Sequence, residues 1–71
     1  MEEIAIKGSF IKLDSLLKFA ALTASGGEAK SVINEGLVSV NGETCTARGK
    51  KIHPGDIVAF SDQKIMVTDE N

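Results

Sequence analysis

Seventy-one residues, 42% of them apolar and without a low-complexity run, make one globular domain, since a chain this short buries only about 60% of its unfolded surface and cannot fill a second core. A single cysteine, Cys45, excludes an intramolecular disulfide and, beside one histidine, supplies no tetrahedral metal set, while the Met-Glu-Glu start and the lack of an apolar run near 20 residues point to a cytoplasmic protein away from the membrane. The net charge of −2 argues against nucleic acid as a partner if taken alone, yet between Lys7 and Lys51 seven cations face four anions, the remaining acids lying mostly toward the two ends.

In chain order, Ile4 and Ile6 alternate with polar or small neighbours and predict a strand over Glu3 to Lys7, broken by Gly8 and Ser9. Asp14 is placed as an N-cap, and Leu13, Leu16, Leu17, Ala20 and Ala21 share one stripe, which predicts a first helix from Asp14 to Leu22. Phe19 and Leu22 fall off that stripe and are expected to be covered by the N-terminal strand or Phe10. Ser25 and Glu28 form a capping box, with the serine hydroxyl on the Glu28 N–H and the carboxylate returning to the Ser25 N–H. A second helix starts there, presents Ala29, Val32 and Ile33 to a core, and stops at Gly36 in a left-handed conformation.

Leu37, Val38 and Val40 predict a strand ending in Asn41-Gly42, the residues a type I′ turn demands, with a return through Thr44 to Thr46. Ala47 to Lys51 reads as a polar, flexible stretch, Pro54-Gly55 as a turn, and Ile57–Phe60 with Ile65–Val67 as a final hairpin about Asp62-Gln63. One strand, two helices and then several strands give the order of an α+β fold.

Five ordered blocks carry a family resemblance: I-K-L-D-S-L-L-K at Ile11 to Lys18, S-G-G-E-A-K at Ser25 to Lys30, E-G-L-V-S-V-N-G at Glu35 to Gly42, R-G-K-K-I at Arg48 to Ile52, and P-G-D-I-V at Pro54 to Val58. Together they resemble the S-four RNA-binding domain, or alpha-L motif, and in particular its small stand-alone bacterial subfamily. The resemblance covers about Ile11 to Val67. It implies a helix hairpin packed on a small, strongly bent antiparallel sheet, with RNA held across the helical face and the adjoining loop. It also implies a role around structured ribosomal RNA, in ribosome assembly, with ribosomal proteins or assembly factors as further partners. Many family members carry an arginine directly after the serine that opens the second helix, and Gly26 stands there in this chain.

The candidate RNA contacts are Lys12, Lys18, Ser25, Gly26, Gly27, Lys30, Arg48, Lys50 and Lys51. Ser25-Gly26-Gly27 opens a helix whose first N–H groups lack intrahelical partners, a geometry that accepts phosphate oxygens but serves equally as a plain cap. Arg48, Lys50 and Lys51 crowd a glycine-containing turn, where arginine bridges phosphate oxygens and lysine acts as a mobile charge. Lys30, with Asn34 one turn on, and Lys18 project from helix flanks, where single lysines are commonly just solvated. Asn41-Gly42 and Pro54-Gly55-Asp56 read as turn formers, with Asp56 accepting backbone hydrogen bonds.

His53 and Cys45 lack partners for acid–base or nucleophilic catalysis, so neither an enzyme nor a cofactor is expected. With tryptophan and tyrosine absent and the three phenylalanines in core-like contexts, recognition is expected to rest on phosphates and RNA shape. Two other readings compete: a protein–protein adaptor in ribosome assembly, and a ubiquitin-like sulfur carrier. The carrier would need a terminal Gly-Gly where this sequence reads Thr-Asp-Glu-Asn.

Overall fold

In the computed structural model, which describes residues 1–70, the elements run β1 (Glu2–Ile6), β2 (Ile11–Lys12), α1 (Leu13–Phe19), α2 (Gly26–Asn34), β3 (Val38–Val40), β4 (Glu43–Thr44), β5 (Lys51–Ile52), β6 (Ile57–Phe60) and β7 (Gln63–Asp69). One sheet has the order β1-β7-β6-β3-β4, and β2 with β5 forms a separate two-stranded ladder. The α+β class and the helix hairpin on a sheet follow the sequence reading. The sheet itself is mixed, because β1 runs parallel to β7, from Glu2 opposite Ile65 to Ile6 opposite Asp69. β6 pairs with only Gln63 to Met66, so without β1 the other edge of the long β7 would stay unpaired along its length.

The first helix begins two residues earlier than the Asp14 cap implies. Lys12 is the N-cap and offers no side-chain bond; the Leu13 and Asp14 N–H groups donate instead to the carbonyls of Lys50 (2.9 Å) and Arg48 (3.1 Å). Asp14 turns its carboxylate to the neighbouring Ser15 N–H at 2.7 Å. The helix also stops short of Leu22, at Phe19, in a Schellman motif: the Leu22 N–H reaches back to Leu17 O and the Ala21 N–H to Lys18 O. Ala21 thereby adopts φ 60°, leaves the core stripe and becomes exposed. A β-carbon in this conformation costs about 1 kcal/mol or more. Ala21→Gly is therefore expected to raise the unfolding free energy by about 1 kcal/mol, read as a higher urea midpoint at an unchanged slope.

α2 starts as expected, with Ser25 Oγ accepting from the Glu28 N–H at 3.2 Å, but the Glu28 carboxylate accepts from Ala24 N–H at 2.6 Å rather than from Ser25. Its end is a second Schellman motif, with Gly36 at φ 78°, Gly36 N–H on Ile33 O and Leu37 N–H on Val32 O. Leu37 is consequently a cap residue, 54% exposed, and the strand begins at Val38. Asn41 and Gly42 both have positive φ, as the type I′ turn requires. The last hairpin turns at Ser61-Asp62, one residue before the expected position, with Phe60 opposite Gln63.

One apolar core joins the layers. Leu13, Leu16 and Leu17 of α1 and Ala29 and Ile33 of α2 pack on Ile6, Val38, Val40, Val58, Ile65 and Val67 of the sheet and on Ile52 of β5. The core does not take in Phe19, which is 63% exposed and lacks the expected cover, whereas Leu22 is half-buried against it.

Candidate nucleic-acid interface

The stretch read as a flexible loop is held at both sides. Lys50 N–H closes a turn on Ala47 O (3.1 Å), and the Arg48 and Lys50 carbonyls cap α1, so the backbone that carries the basic residues is tied to a helix start. Upstream, Cys45 N–H bonds to Val38 O at 2.9 Å and continues the β3–β4 ladder toward this turn. Downstream, Lys51–Ile52 pairs with Ile11–Lys12 in antiparallel register, and Ile52 is fully buried. The side chains of Arg48, Lys50 and Lys51 remain exposed on this fixed frame.

Between the turn and α2 lies an open groove of about 730 Å³ lined by Gly27, Lys30, Ser31, Asn34 and residues 46 to 49. Gly27, Lys30, Ser31 and Asn34 recur at the three- and four-residue spacing of one helix face. The groove thus brings together two of the cations singled out in the sequence, Lys30 and Arg48, with Gly27 at the helix start. Ser31, Asn34 and Thr46 add hydroxyl and amide groups; of these the sequence reading noticed Asn34 alone, although the helical spacing marked Ser31 as well. The Glu28 carboxylate is engaged by the Ala24 N–H, and Glu28 is not among the residues that line the groove.

The other candidates are placed differently. Lys12 and Lys51 oppose each other on the β2–β5 ladder, and Lys51 Nζ lies 4.9 Å from the centre of the Phe10 ring. Lys50 is near enough to Asp56 to act on its ionisation. Lys18 is exposed in the last turn of α1, where a cation complements the helix dipole. Ser25 is engaged as the cap, its hydroxyl on Glu28 N–H and its carbonyl accepting from Thr23 Oγ1 and Ala29 N–H. Neither Gly26 nor Gly27 is forced by packing: a Cβ at Gly26 would meet nothing within 4 Å, and at Gly27 only Ser25 Oγ at 3.8 Å. Among the described residues no group of three His, Cys, Asp or Glu side chains is placed to share a metal ion, and no helix is long and apolar enough to cross a bilayer.

Asn41 and Asp56 do more than form turns. Asn41 Oδ1 accepts from Ile57 N–H (2.9 Å), and its amide donates to Asp56 Oδ1 (3.1 Å). Asp56 Oδ2 in turn accepts from His53 N–H at 2.8 Å. That backbone bond foremost, with the Asn41 amide and the nearby His53 and Lys50 helping, holds the Asp56 carboxyl below its ordinary range against the opposing effect of burial. A carboxylate lowered in the folded state stabilises above the ordinary carboxylate range, near pH 4, and loses that contribution as pH falls through the range and below it. Asp56→Asn should cost about 1–2 kcal/mol at neutral pH, since an amide group replaces one acceptor. The gap between variant and parent should narrow as pH drops from about 5 to about 2, as measured by urea unfolding at several pH values.

A helix hairpin on a small mixed sheet, with cations of a fixed turn meeting a glycine-opened helix across a groove, defines a domain class, and sequence comparison identifies it. The family model described as the S4 domain matches residues 4–68, so this chain belongs to the S4 domain family. Among its relatives, the "Probable ribosome maturation protein RlbA" of Bacillus subtilis (strain 168) is 42% identical over 55 residues, 78% of either chain. YbcJ of Escherichia coli (strain K12) is 36% identical over 61 residues, 86% of this chain and 87% of its own length. The solution structure of E. coli YbcJ, described as revealing an alfaL motif involved in RNA-binding, superposes with a TM-score of 0.66 at 31% identity, over 94% of this chain and 84% of that one.

Proposed function

We propose that this chain binds structured RNA, ribosomal RNA foremost, by seating phosphates in the groove of Lys30 and Arg48, and that it serves ribosome maturation in the cytoplasm as a binding module without cofactor or catalysis. One observation carries the reading: a helix and a distant turn each place a cation on the same open groove, and the turn is fixed by its backbone so that binding need not order it. Preorganised charge of this kind loses little conformational entropy on association. The RNA-binding and ribosome-maturation descriptions of its relatives agree with it.

A titration of a ribosomal RNA fragment at several salt concentrations tests the mechanism. With about three or four phosphate contacts, log affinity should fall against log salt with a slope of roughly −2 to −4. An affinity indifferent to salt would refute the phosphate groove, and an association with ribosomal particles that survives nuclease treatment would favour the adaptor instead.

Gly26 offers a gain-of-function check. The position is open, its φ is ordinary, and a side chain there would stand beside the groove at the first turn of α2. Gly26→Arg should strengthen RNA binding about 5- to 8-fold at 0.1 M salt and steepen the salt slope by about 0.7–0.9. Its stability should change little, because a helix propensity gain of up to about 1 kcal/mol is offset by a cation at the positive end of the dipole.

A further inference from the structure

The two-stranded ladder β2–β5 presents a second surface with a chemistry of its own. Lys12 and Lys51 stand directly opposite each other across it, both exposed. Like charges in that position repel, so the pair awaits an anion. Strand alternation turns Ile11 and Ile52 to one side and Lys12 and Lys51 to the other. Phe10 joins the lysine side: its ring lies 4.9 Å from Lys51 Nζ, and the His53 ring stands 6.2 Å from it, tilted by 52°.

Beside Phe10 opens a cleft of about 390 Å³, lined by Ala5, Ile6, Phe10, Ile11 and Phe19, with Lys7 and Glu70 at its polar margin. Phe10 is 39% and Phe19 63% exposed. Two of the chain's three aromatic rings thus face solvent around a single cleft, contrary to the core-like contexts read from the sequence.

We propose that this face takes one unpaired nucleotide of the bound RNA, its base stacked on Phe10 over the cleft shared with Phe19 and its phosphate between the Lys12 and Lys51 ammonium groups. The inference rests on the RNA reading above and extends it from backbone to base. A flat base satisfies the aromatic surface, since every base has a π-face to stack. The phosphate removes the repulsion between the lysines, and Lys51 remains over the ring in a cation–π arrangement. An apolar peptide side chain would fill the cleft but leave Lys12 and Lys51 uncompensated, which is why a ligand both planar and anionic fits better.

The test uses two RNA hairpins with the same paired stem, one blunt and one with a short single-stranded 3′ extension, titrated at one salt concentration against the parent protein, Phe10→Ala and Phe10→Trp. The extended hairpin should bind the parent about 5- to 150-fold tighter than the blunt one, the range base stacking on an aromatic side chain provides. Phe10→Ala should remove the stacking share of that preference, leaving only what the phosphate at Lys12 and Lys51 contributes, and keep the blunt-hairpin affinity within about twofold, because the groove of Lys30 and Arg48 is untouched. Phe10→Trp introduces the chain's sole indole. It should keep the preference, with fluorescence quenched by the extended hairpin and not by the blunt one.

Equal affinity of the parent for the two hairpins overturns the stacking site while leaving the phosphate groove standing. So does a preference that survives undiminished in Phe10→Ala with the indole of Phe10→Trp unquenched, and the cleft would then belong to a protein partner. Binding of neither hairpin overturns the RNA reading itself and the stacking site with it.

Discussion

Replacing Lys30 and Arg48 together by alanine is expected to weaken RNA binding by about 25- to 60-fold at 0.1 M salt. Each phosphate contact contributes about 0.7–0.9 to the slope of log affinity against log salt, so each is worth about 5- to 8-fold at that concentration, and two multiply. The slope should flatten by about 1.4–1.8, and the two affinities should converge as salt rises toward 1 M. Fluorescence anisotropy with a labelled RNA at four salt concentrations reads both quantities.

The fold should not respond. Both side chains are exposed, and the bond that ties the Arg48 position to α1 is made by its backbone carbonyl, which alanine retains. Unfolding free energies within about 0.5 kcal/mol of the parent are expected. A weakening that was the same at every salt concentration would contradict a phosphate contact and point to RNA shape as what these residues read.

What the sequence made legible was the chemistry of near neighbours. Ser25 and Glu28 mark a helix start, Gly36 marks its end, and Asn41-Gly42 marks a turn, because each feature is decided by residues within one turn of chain. Where a distant segment supplies the partner, local reading fails. Asp14 resembles a cap, yet the helix has already begun at Leu13, and its first N–H groups, those of Leu13 and Asp14 itself, go to the Lys50 and Arg48 carbonyls, distant in sequence. Lys51–Ile52 is too short to show any periodicity, so its pairing with Ile11–Lys12 left no trace, and a structured turn read as a flexible one. The parallel pairing of β1 with β7 was hidden too, since each strand shows its own pattern but not its distant partner.

The candidate interface divides along the same line. Charge and residue type marked Lys30 and Arg48 as candidate RNA contacts, but that they share a groove is a property of the helix hairpin and the capped turn. The cations divide between two places: Lys30 and Arg48 line the groove, while Lys12 and Lys51 oppose each other on the β2–β5 ladder, with Lys51 over the Phe10 ring. The phenylalanines misled for a different reason, since an aromatic residue near apolar neighbours is ordinarily core, and only the early end of α1 at Phe19 shows that this ring has no place inside.

Ile52→Ala should produce the largest loss of stability that also reaches the interface. Isolated two-residue pairing cannot hold β5 in place, because a solvent-exposed backbone hydrogen bond contributes about 1 kcal/mol net and a lone two-stranded ribbon is marginal in water. The fully buried Ile52 side chain, packed with Leu13, Leu16 and the rest of the core, supplies the anchorage. Truncating it leaves a cavity and costs about 2–5 kcal/mol, against a total of about 4–11 kcal/mol for a domain of this size. The melting temperature should fall by about 8 °C or more on the scale of about 4–8 °C per kcal/mol for small domains. The basic turn would loosen with it, so RNA affinity should drop even where circular dichroism shows the helices folded, whereas Ile52→Val, at about 0.5–1.5 kcal/mol, should bind RNA as the parent does. If Ile52→Ala lost less than about 1 kcal/mol, β5 would be held by something other than the core. The turn that carries Arg48 would then owe its position to the carbonyl cap on α1 alone.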